Sequence, residues 1–304
     1  MAMPYQVLLY YFYNDFPDPE AYREEHIELC ERLNLLGRIL IGKEGINGTV
    51  SGTPEDCRAY QEYMDNHPLT KGMEWKVDDV ESHQFPRLSI KVKEEIVPLG
   101  LQENDFSPNE CTGNYLNPQQ WQEMMAGDNT VIIDARNQYE WELGHFEGAM
   151  LPEVESFREL TDWVRENREE FEGKKVLTYC TGGIRCEKFS GFLKKEGLND
   201  VYQLHGGIVT YGKDPETKGE GWKGSCYVFD QRIKVPINHT NSAEVISRCT
   251  HCGEPSDRYV NCNWSPCNCR HFCCEECEKE NKGYCSDACY QAFLGSFASG
   301  ALCE

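Results

Sequence analysis

The sequence predicts an α/β protein in three parts: an N-terminal α+β sandwich, a central parallel α/β domain and a C-terminal cysteine-rich module. Three observations predict it. Over residues 5–92 the hydrophobic periodicities run strand, helix, strand, strand, helix, strand. Between about residue 130 and residue 204, short apolar runs of strand length alternate with helical ones, the pattern of strands buried on both faces. Eleven of the 17 cysteines lie after residue 248. That concentration points to a metal module in a reducing compartment, not to disulfides spread along the chain.

The N-terminal elements follow in order. Val7 to Tyr13 is a β-like run closed by Pro17 and Pro19. From Pro19 to Asn34, Tyr22, His26, Leu29 and Leu33 recur at helical spacing, so a helix lays one face on a sheet, and Gly37 ends it. Arg38 to Ile41 returns as a strand, and Gly45-Ile46-Asn47-Gly48-Thr49-Val50 carries the Asn-Gly pair favoured in a tight hairpin. Thr53 and Pro54 supply an N-cap and a first-turn proline for a second helix, running to about His67 with Cys57, Tyr60 and Met64 facing the core. Trp75 to Val80 and Leu88 to Val92 add strands. This order is that of a ferredoxin-like sandwich over residues 1–95, a fold that implies no reaction of its own. No paired acid and base is found in it; Cys30 and Cys57 read as core, and His26 as a packed or surface residue.

Residues 96–111 are expected to be a linker, because Pro98, Gly100, Pro108 and Gly113 break any period here. The central domain, residues 112–220, begins with a short helix at Asn117-Pro118 that bears Trp121 and Met125. Val131-Ile132-Ile133-Asp134 is a buried strand, Phe157 to Phe171 a helix with Leu160 and Val164 inward, and Val176 and Val201 to Leu204 mark further strands. The expected product is an open parallel sheet, whose sites lie at the carboxyl ends of its strands.

One such end is Tyr179-Cys180-Thr181-Gly182-Gly183-Ile184-Arg185-Cys186. Val176 and Leu177 precede it as a strand, and Phe189, Phe192 and Leu193 follow at helical spacing. Gly182 and Gly183 let backbone N–H groups turn inward as an anion-binding nest, and the following helix N-terminus adds partial positive charge. Such a setting favours a thiolate, so Cys180 reads as a nucleophile open to a ligand. Thr181, Gly182, Gly183, Ile184 and Arg185 form its substrate or anion loop. Cys186 is either an auxiliary thiol or a buried neighbour. Four residues separate Cys180 from Arg185, one fewer than in cysteine phosphatases, and this shorter ring resembles the loop of rhodaneses, whose cysteine carries a persulfide.

Further motifs strengthen that likeness. Asp134-Ala135-Arg136, Glu140 and Gly144-His145-Phe146-Glu147-Gly148-Ala149, with His205-Gly206-Gly207-Ile208, resemble the rhodanese signature. Arg136 and His145 then serve to fix the loops above the sheet. Adding Gly42-Lys43-Glu44-Gly45-Ile46-Asn47-Gly48-Thr49-Val50-Ser51-Gly52 before this domain and Cys226-Tyr227-Val228-Phe229-Asp230-Gln231-Arg232 after it, the chain resembles the bacterial tRNA uridine hydroxylase family, which contains a rhodanese-like domain. The resemblance implies an oxidoreductase that uses molecular oxygen as co-substrate to convert the wobble uridine, position 34 of tRNA, to 5-hydroxyuridine. Neither a flavin nor a nicotinamide fingerprint occurs, nor a two-His-one-carboxylate iron set. The chemistry is therefore assigned to Cys180, adding to C6 of the uracil so that C5 becomes electron-rich, with Arg185 and the loop N–H groups stabilising charge. Two other functions fit the same residues at this point: a rhodanese-type sulfurtransferase carrying a cysteine persulfide, and a non-catalytic zinc scaffold.

In residues 221–304, Cys249 and Cys252, Cys262 and Cys267, Cys274 and Cys277, and Cys285 and Cys289 are four pairs at ligand spacing. Eight thiolates suit two structural zinc ions, and analogy with cross-braced modules pairs the first with the third and the second with the fourth. Cys269, Cys273 and Cys303 are left over, with Cys273 an alternative to Cys274. A formal charge of −21 argues against a non-specific nucleic-acid binder, so the tRNA partner rests on the resemblance. Lys174, Lys175, Lys188, Lys194 and Lys195 form a local basic patch or an ordinary solvated surface. No apolar run approaches a membrane span and no signal-like start is present, so a cytoplasmic protein without a membrane or stable protein partner is expected.

Overall fold

In β1 (Tyr5–Tyr13) apolar side chains occupy both faces of the strand, which therefore has to be covered twice. On one side lie two helices. The computed structural model describes residues 3–100 and 106–298. In it α1 (Pro19–Arg32) is capped by the Asp18 carboxylate and buries Tyr22, His26, Leu29 and Cys30. Then come β2 (Leu36–Gly42), β3 (Gly45–Gly52), α2 (Pro54–Asn66), capped by Thr53 and burying Cys57, Tyr60 and Met64, β4 (Trp75–Val80) and β5 (Leu88–Val92). The sheet order is β4-β1-β3-β2-β5, with β5 parallel to β2 and the other pairs antiparallel. The expected ferredoxin-like sandwich is present, with one strand added at its edge.

Asn47-Gly48 does not make the hairpin turn. The chain reverses at Lys43-Glu44, with Gly42 opposite Gly45, and Asn47 and Gly48 sit inside β3 opposite Leu40 and Ile39. Gly48 is needed for space: a Cβ there would lie 2.3 Å from the Tyr10 ring. The Asn47 amide is occupied in donating to the Ile96 carbonyl at 3.0 Å.

The expected linker is partly packed. Ile96, Val97 and Leu99 are buried in the same core as Val131, Ile133, Val176 and Phe189 of the central domain. That domain contains β6 (Asn114–Leu116), α3 (Pro118–Met125), β7 (Thr130–Asp134), α4 (Gln138–Trp141), β8 (Gly144–Phe146), α5 (Leu160–Glu166), β9 (Lys175–Tyr179), α6 (Ile184–Lys195), β10 (Val201–Leu204) and α7 (Gly207–Lys213). Its parallel sheet runs β6-β10-β9-β7. The single helix expected from Phe157 to Phe171 is α5 flanked by 3-10 turns at Phe157–Glu159 and Arg168–Phe171. It breaks at Asn167, whose side chain turns back onto the Trp163 carbonyl at 2.8 Å, the local bonding that makes Asn a helix terminator.

β11 (Trp222–Tyr227) pairs with β8 and with β12 (Lys234–Pro236), so the chain beyond α7 returns to the central domain before the cysteine module begins. The module contains the hairpin β13 (Tyr259–Asn261) and β14 (Arg270–Phe272), then α8 (Glu275–Glu280) and α9 (Asp287–Ala298). Arg270 stacks among Tyr139, Tyr227 and Tyr259 and docks the module on the domain before it. No helix among the described residues is long and apolar enough to cross a membrane.

Candidate active site

From the end of β9 the chain turns through Cys180-Thr181-Gly182-Gly183 into α6. Gly183 adopts φ +104°, which only glycine takes without strain, and this aims its N–H at the Cys180 sulfur at 3.2 Å. Beneath the loop, the N–H groups of Ile208 and Val209 at the start of α7 donate to the Cys180 and Thr181 carbonyls at 3.0 and 3.1 Å. Burial alone pushes the Cys180 thiol up. The Cys186 S–H, the Arg185 guanidinium and the N–H groups of Cys186 and Arg185 outweigh it and bring the thiol down to about 5. Burial and the neighbouring Cys180 charge push Cys186 the other way, so Cys186 keeps its proton and donates it.

Arg185 does not point a free charge at a ligand. Its guanidinium is held in a bidentate pair with Glu140 at 2.5 and 2.8 Å and also donates to Thr181 at 3.2 Å. The pair is buried, so its worth is orientation more than net stability. Burial raises the Glu140 carboxyl, but Arg185 and Arg136 hold it below the usual range. Arg136 is paired with Asp134 at 2.6 Å and reaches the Gly144 carbonyl at 2.6 Å, fixing β8 as expected. The His145 ring binds the Phe146 carbonyl at 3.0 Å, again a loop-fixing contact. His205 lies beside Tyr115 and pairs with Glu74 at 3.3 Å.

The loop was expected to lie open; Cys180 instead has 0% of its surface exposed. The cover is the second face of β1. A Cβ on Gly182 would come within 3.1 Å of Leu9, and one on Gly183 within 2.8 Å of the Tyr11 hydroxyl. Tyr13 donates to the Ile184 carbonyl at 3.2 Å. Tyr11 also donates to Glu187 at 2.9 Å, a buried carboxylate that further receives Tyr115 at 2.8 Å, Thr112 at 3.1 Å and Gln203 at 3.2 Å. Lys76 on β4 sits 5.0 Å from the Tyr11 ring centroid, its ammonium pushed down by burial although Glu74, Cys180 and Glu187 oppose the shift. Phe229, 49% exposed, lies over Arg185 at the edge of the loop. Tyr11, Lys76 and Glu187 were missed in the sequence, and Phe229 was named there only within a motif, without a role. The available signal was the double-sided apolarity of β1, which called for a partner surface.

Lys188 is buried and not part of a surface patch. It bonds Glu44 at 2.8 Å, Glu95 at 2.7 Å and the Val97 carbonyl at 3.1 Å, because α6 runs against the strap that links the first two domains.

In the C-terminal module the structure brings together Cys249, Cys252, Cys274 and Cys277, and separately Cys262, Cys267, Cys285 and Cys289, each set with its sulfurs within 4.8 Å of one another. Contacts of 3.8, 3.7 and 3.5 Å within these sets match the sulfur separation of about 3.8 Å in a tetrahedral site with metal–sulfur bonds of about 2.3 Å. Each set can thus hold a metal ion. Cys274, not Cys273, completes the first set; Cys269 is exposed and outside both; Cys303 lies outside the described residues. No disulfide links the described cysteines.

Three family models match successive stretches of the chain. The family described as "UPF0176 acylphosphatase like domain" matches residues 5–96, "Rhodanese-like domain" matches 117–214, and "Rhodanase C-terminal" matches 223–290. The chain is 53% identical to the tRNA uridine(34) hydroxylase of Shouchella clausii (strain KSM-K16), over 95% of this chain and 89% of that protein. It is 54% identical to those of Bacillus cereus (strain G9842) and Bacillus mycoides (strain KBAB4), over 94% of this chain and 89% of each. With its three regions matched in order and relatives aligned along nearly its whole length, the chain belongs to the tRNA uridine(34) hydroxylase family.

Proposed function

We propose that this protein hydroxylates C5 of uridine 34 in tRNA with molecular oxygen, in the cytoplasm, and that Cys180 is its nucleophile. The supporting observation is the pairing of near full-length similarity to uridine hydroxylases with a thiol whose surroundings favour the ionised form. The Cys180 thiolate forms a C–S bond at C6 and displaces an electron pair onto C5 and the O4 carbonyl. That enolate passes electrons to oxygen and gains a C5 hydroperoxide. A thiol-class reductant supplies two electrons, cleaving the O–O bond to C5–OH and water. Loss of the C5 proton then expels the thiolate and restores the C5–C6 double bond.

The remaining residues orient this sequence. The Gly183 N–H and the Cys186 S–H hold the sulfur as a thiolate before attack and receive it again as leaving group. Arg185, fixed by Glu140, shapes the loop and contributes positive potential. Phe229 offers an aromatic face to a base extruded from its stack. Each cysteine quartet holds one zinc ion, which replaces the apolar core that so short a module lacks.

Isotope labelling separates this reading from sulfur transfer, since gaining oxygen and exchanging oxygen for sulfur change nominal mass almost equally. With labelled molecular oxygen, the wild type is expected to place the label in uridine 34, and Cys180→Ser to place none. An unlabelled, sulfur-bearing uridine would instead establish persulfide chemistry.

A further inference from the structure

The first zinc knuckle carries a residue that neither quartet uses. In Cys249-Thr250-His251-Cys252 the two cysteines join the first set, leaving His251 between them. The Thr250 N–H donates to the Phe272 carbonyl at 2.9 Å, which seats this knuckle on the end of β14. Along β14 the side chains alternate, and His271, opposite Val260, turns inward with 6% of its surface exposed. Cys273 follows with 0% exposed, packed against Cys249 and Cys277 but absent from their metal set.

Three potential ligand atoms, one each from His251, His271 and Cys273, lie within 4.8 Å of one another. A second observation is independent of that clustering. Both ring nitrogens of His271 and Nε2 of His251 are buried without a hydrogen-bond partner. Buried polar atoms are seldom left so, and a bound ion is one of the few physical reasons. We propose that His251, His271 and Cys273 form a third metal site, for a borderline divalent cation of the zinc type, beside the first cysteine quartet.

Geometry and charge both fit such an ion. Three atoms no more than 4.8 Å apart have a common centre within about 2.8 Å of each, so closing to bonds of about 2.0–2.3 Å takes shifts of less than an ångström. Two imidazoles and a thiolate are the donors that zinc-type ions accept, and hard cations such as magnesium or calcium do not. A quartet filled by a divalent ion has net charge −2, whereas a divalent ion with one thiolate and two neutral imidazoles has +1. The neighbouring sites therefore attract. Three protein donors leave a fourth position for water or a ligand, unlike the closed quartets. The site concerns the module alone and stands or falls independently of the reaction proposed at Cys180.

The test counts metal in the full-length protein, purified with zinc and freed of loosely bound ion by gel filtration. Elemental analysis is expected to find three zinc ions per chain, falling to two in His271→Ala and to two in Cys273→Ser. Replacing zinc by cobalt should show a third equivalent whose sulfur-to-metal absorption is well below that of the first two, reflecting one thiolate in place of four. Two ions in the wild type would overturn the proposal, and this count stands even if a variant fails to fold. A loss in Cys273→Ser without one in His271→Ala would also overturn it, by assigning Cys273 to a quartet.

Discussion

Burial of Cys180 opposes its ionisation, and the donors around it reverse the sign. The Cys186 S–H acts at close range together with the Arg185 charge and the loop N–H groups, so a thiol with an ordinary value of 9.0 is brought to about 5. Because the folded value lies below the unfolded one, the charge stabilises the fold fully above about pH 9. That contribution is lost as the pH falls through the folded value near 5. Cys186→Ala removes one donor and leaves the backbone and Arg185 in place. The component of the thiolate absorbance that titrates near 5 is therefore expected to move to a higher pH in this variant and to be missing in Cys180→Ser, leaving the signal of the module cysteines in both. An unchanged midpoint in Cys186→Ala would show that Cys186 is only a packing neighbour. The place of Cys180 between a strand and a helix was legible because the strand, the two glycines and the helix are contiguous. That Arg185 is spoken for by Glu140 was not, since that pairing is made across 45 positions by the fold.

At the level of elements, the loop is held from below by α7, whose first residue is under more constraint than any glycine in the loop. Gly207 has φ +71°, and a Cβ there would lie 2.6 Å from the Cys180 carbonyl and 2.7 Å from the Thr181 carbonyl and the Gly183 nitrogen. All three neighbours are backbone, so nothing flexible can yield. Gly207→Ala is expected to cost on the order of 2 kcal/mol or more in chemical denaturation and to abolish activity by displacing the cysteine loop. Elements of this kind separate what was legible from what was not. Val131 to Asp134 and Val201 to Leu204 were readable because each is an apolar run with its own period, whereas β6, β8 and β12 are three residues long and exist only because a partner strand fixes them. The cysteine module shows the same dependence on partners. Its apolar cluster consists of Cys249, Cys273 and Cys277, with Val260 and Cys274 against them, too little to offset the chain entropy of some fifty residues at roughly 1–2 kcal/mol each. A strong chelator is therefore expected to unfold residues beyond about 248, exposing them to proteolysis, while the two preceding domains persist as a resistant fragment. Equal resistance with and without chelator would remove the metal from the folding argument.

Across the whole molecule, the first domain covers the cysteine loop of the second, and polar contacts at its rim tie the two together. Asp78 on β4 pairs with Lys213 of α7 and, at 2.7 Å, with Arg232, which is itself held by Asp230 at 2.5 Å. The Gln231 N–H adds a bond to the Gln84 carbonyl at 3.0 Å, so the segment after β11 ties the N-terminal sheet over the cysteine loop. Asp230, Gln231 and Arg232, part of the segment on which the resemblance rested, thus join the first domain to the second. With Leu9 and Tyr11 over the loop, the attack on uracil proposed above requires them to withdraw, and the Asp78 contacts are expected to oppose that opening. Burial raises the Asp78 carboxyl, but Lys213 and Arg232 bring it below its ordinary value of 3.8. A depressed carboxyl keeps its pairs at all pH values above about 4 and loses them only as acid takes the pH through the lowered value. Asp78→Asn imitates that acid state at neutral pH. It is expected to speed alkylation of Cys180 by a small neutral reagent several-fold, with little change in the pH at which the thiolate forms, because no donor to the sulfur has been touched. A faster reaction with an unaltered titration midpoint locates the effect in the domain contact. If alkylation were no faster, entry to Cys180 would have to follow a path that leaves the domain contact closed.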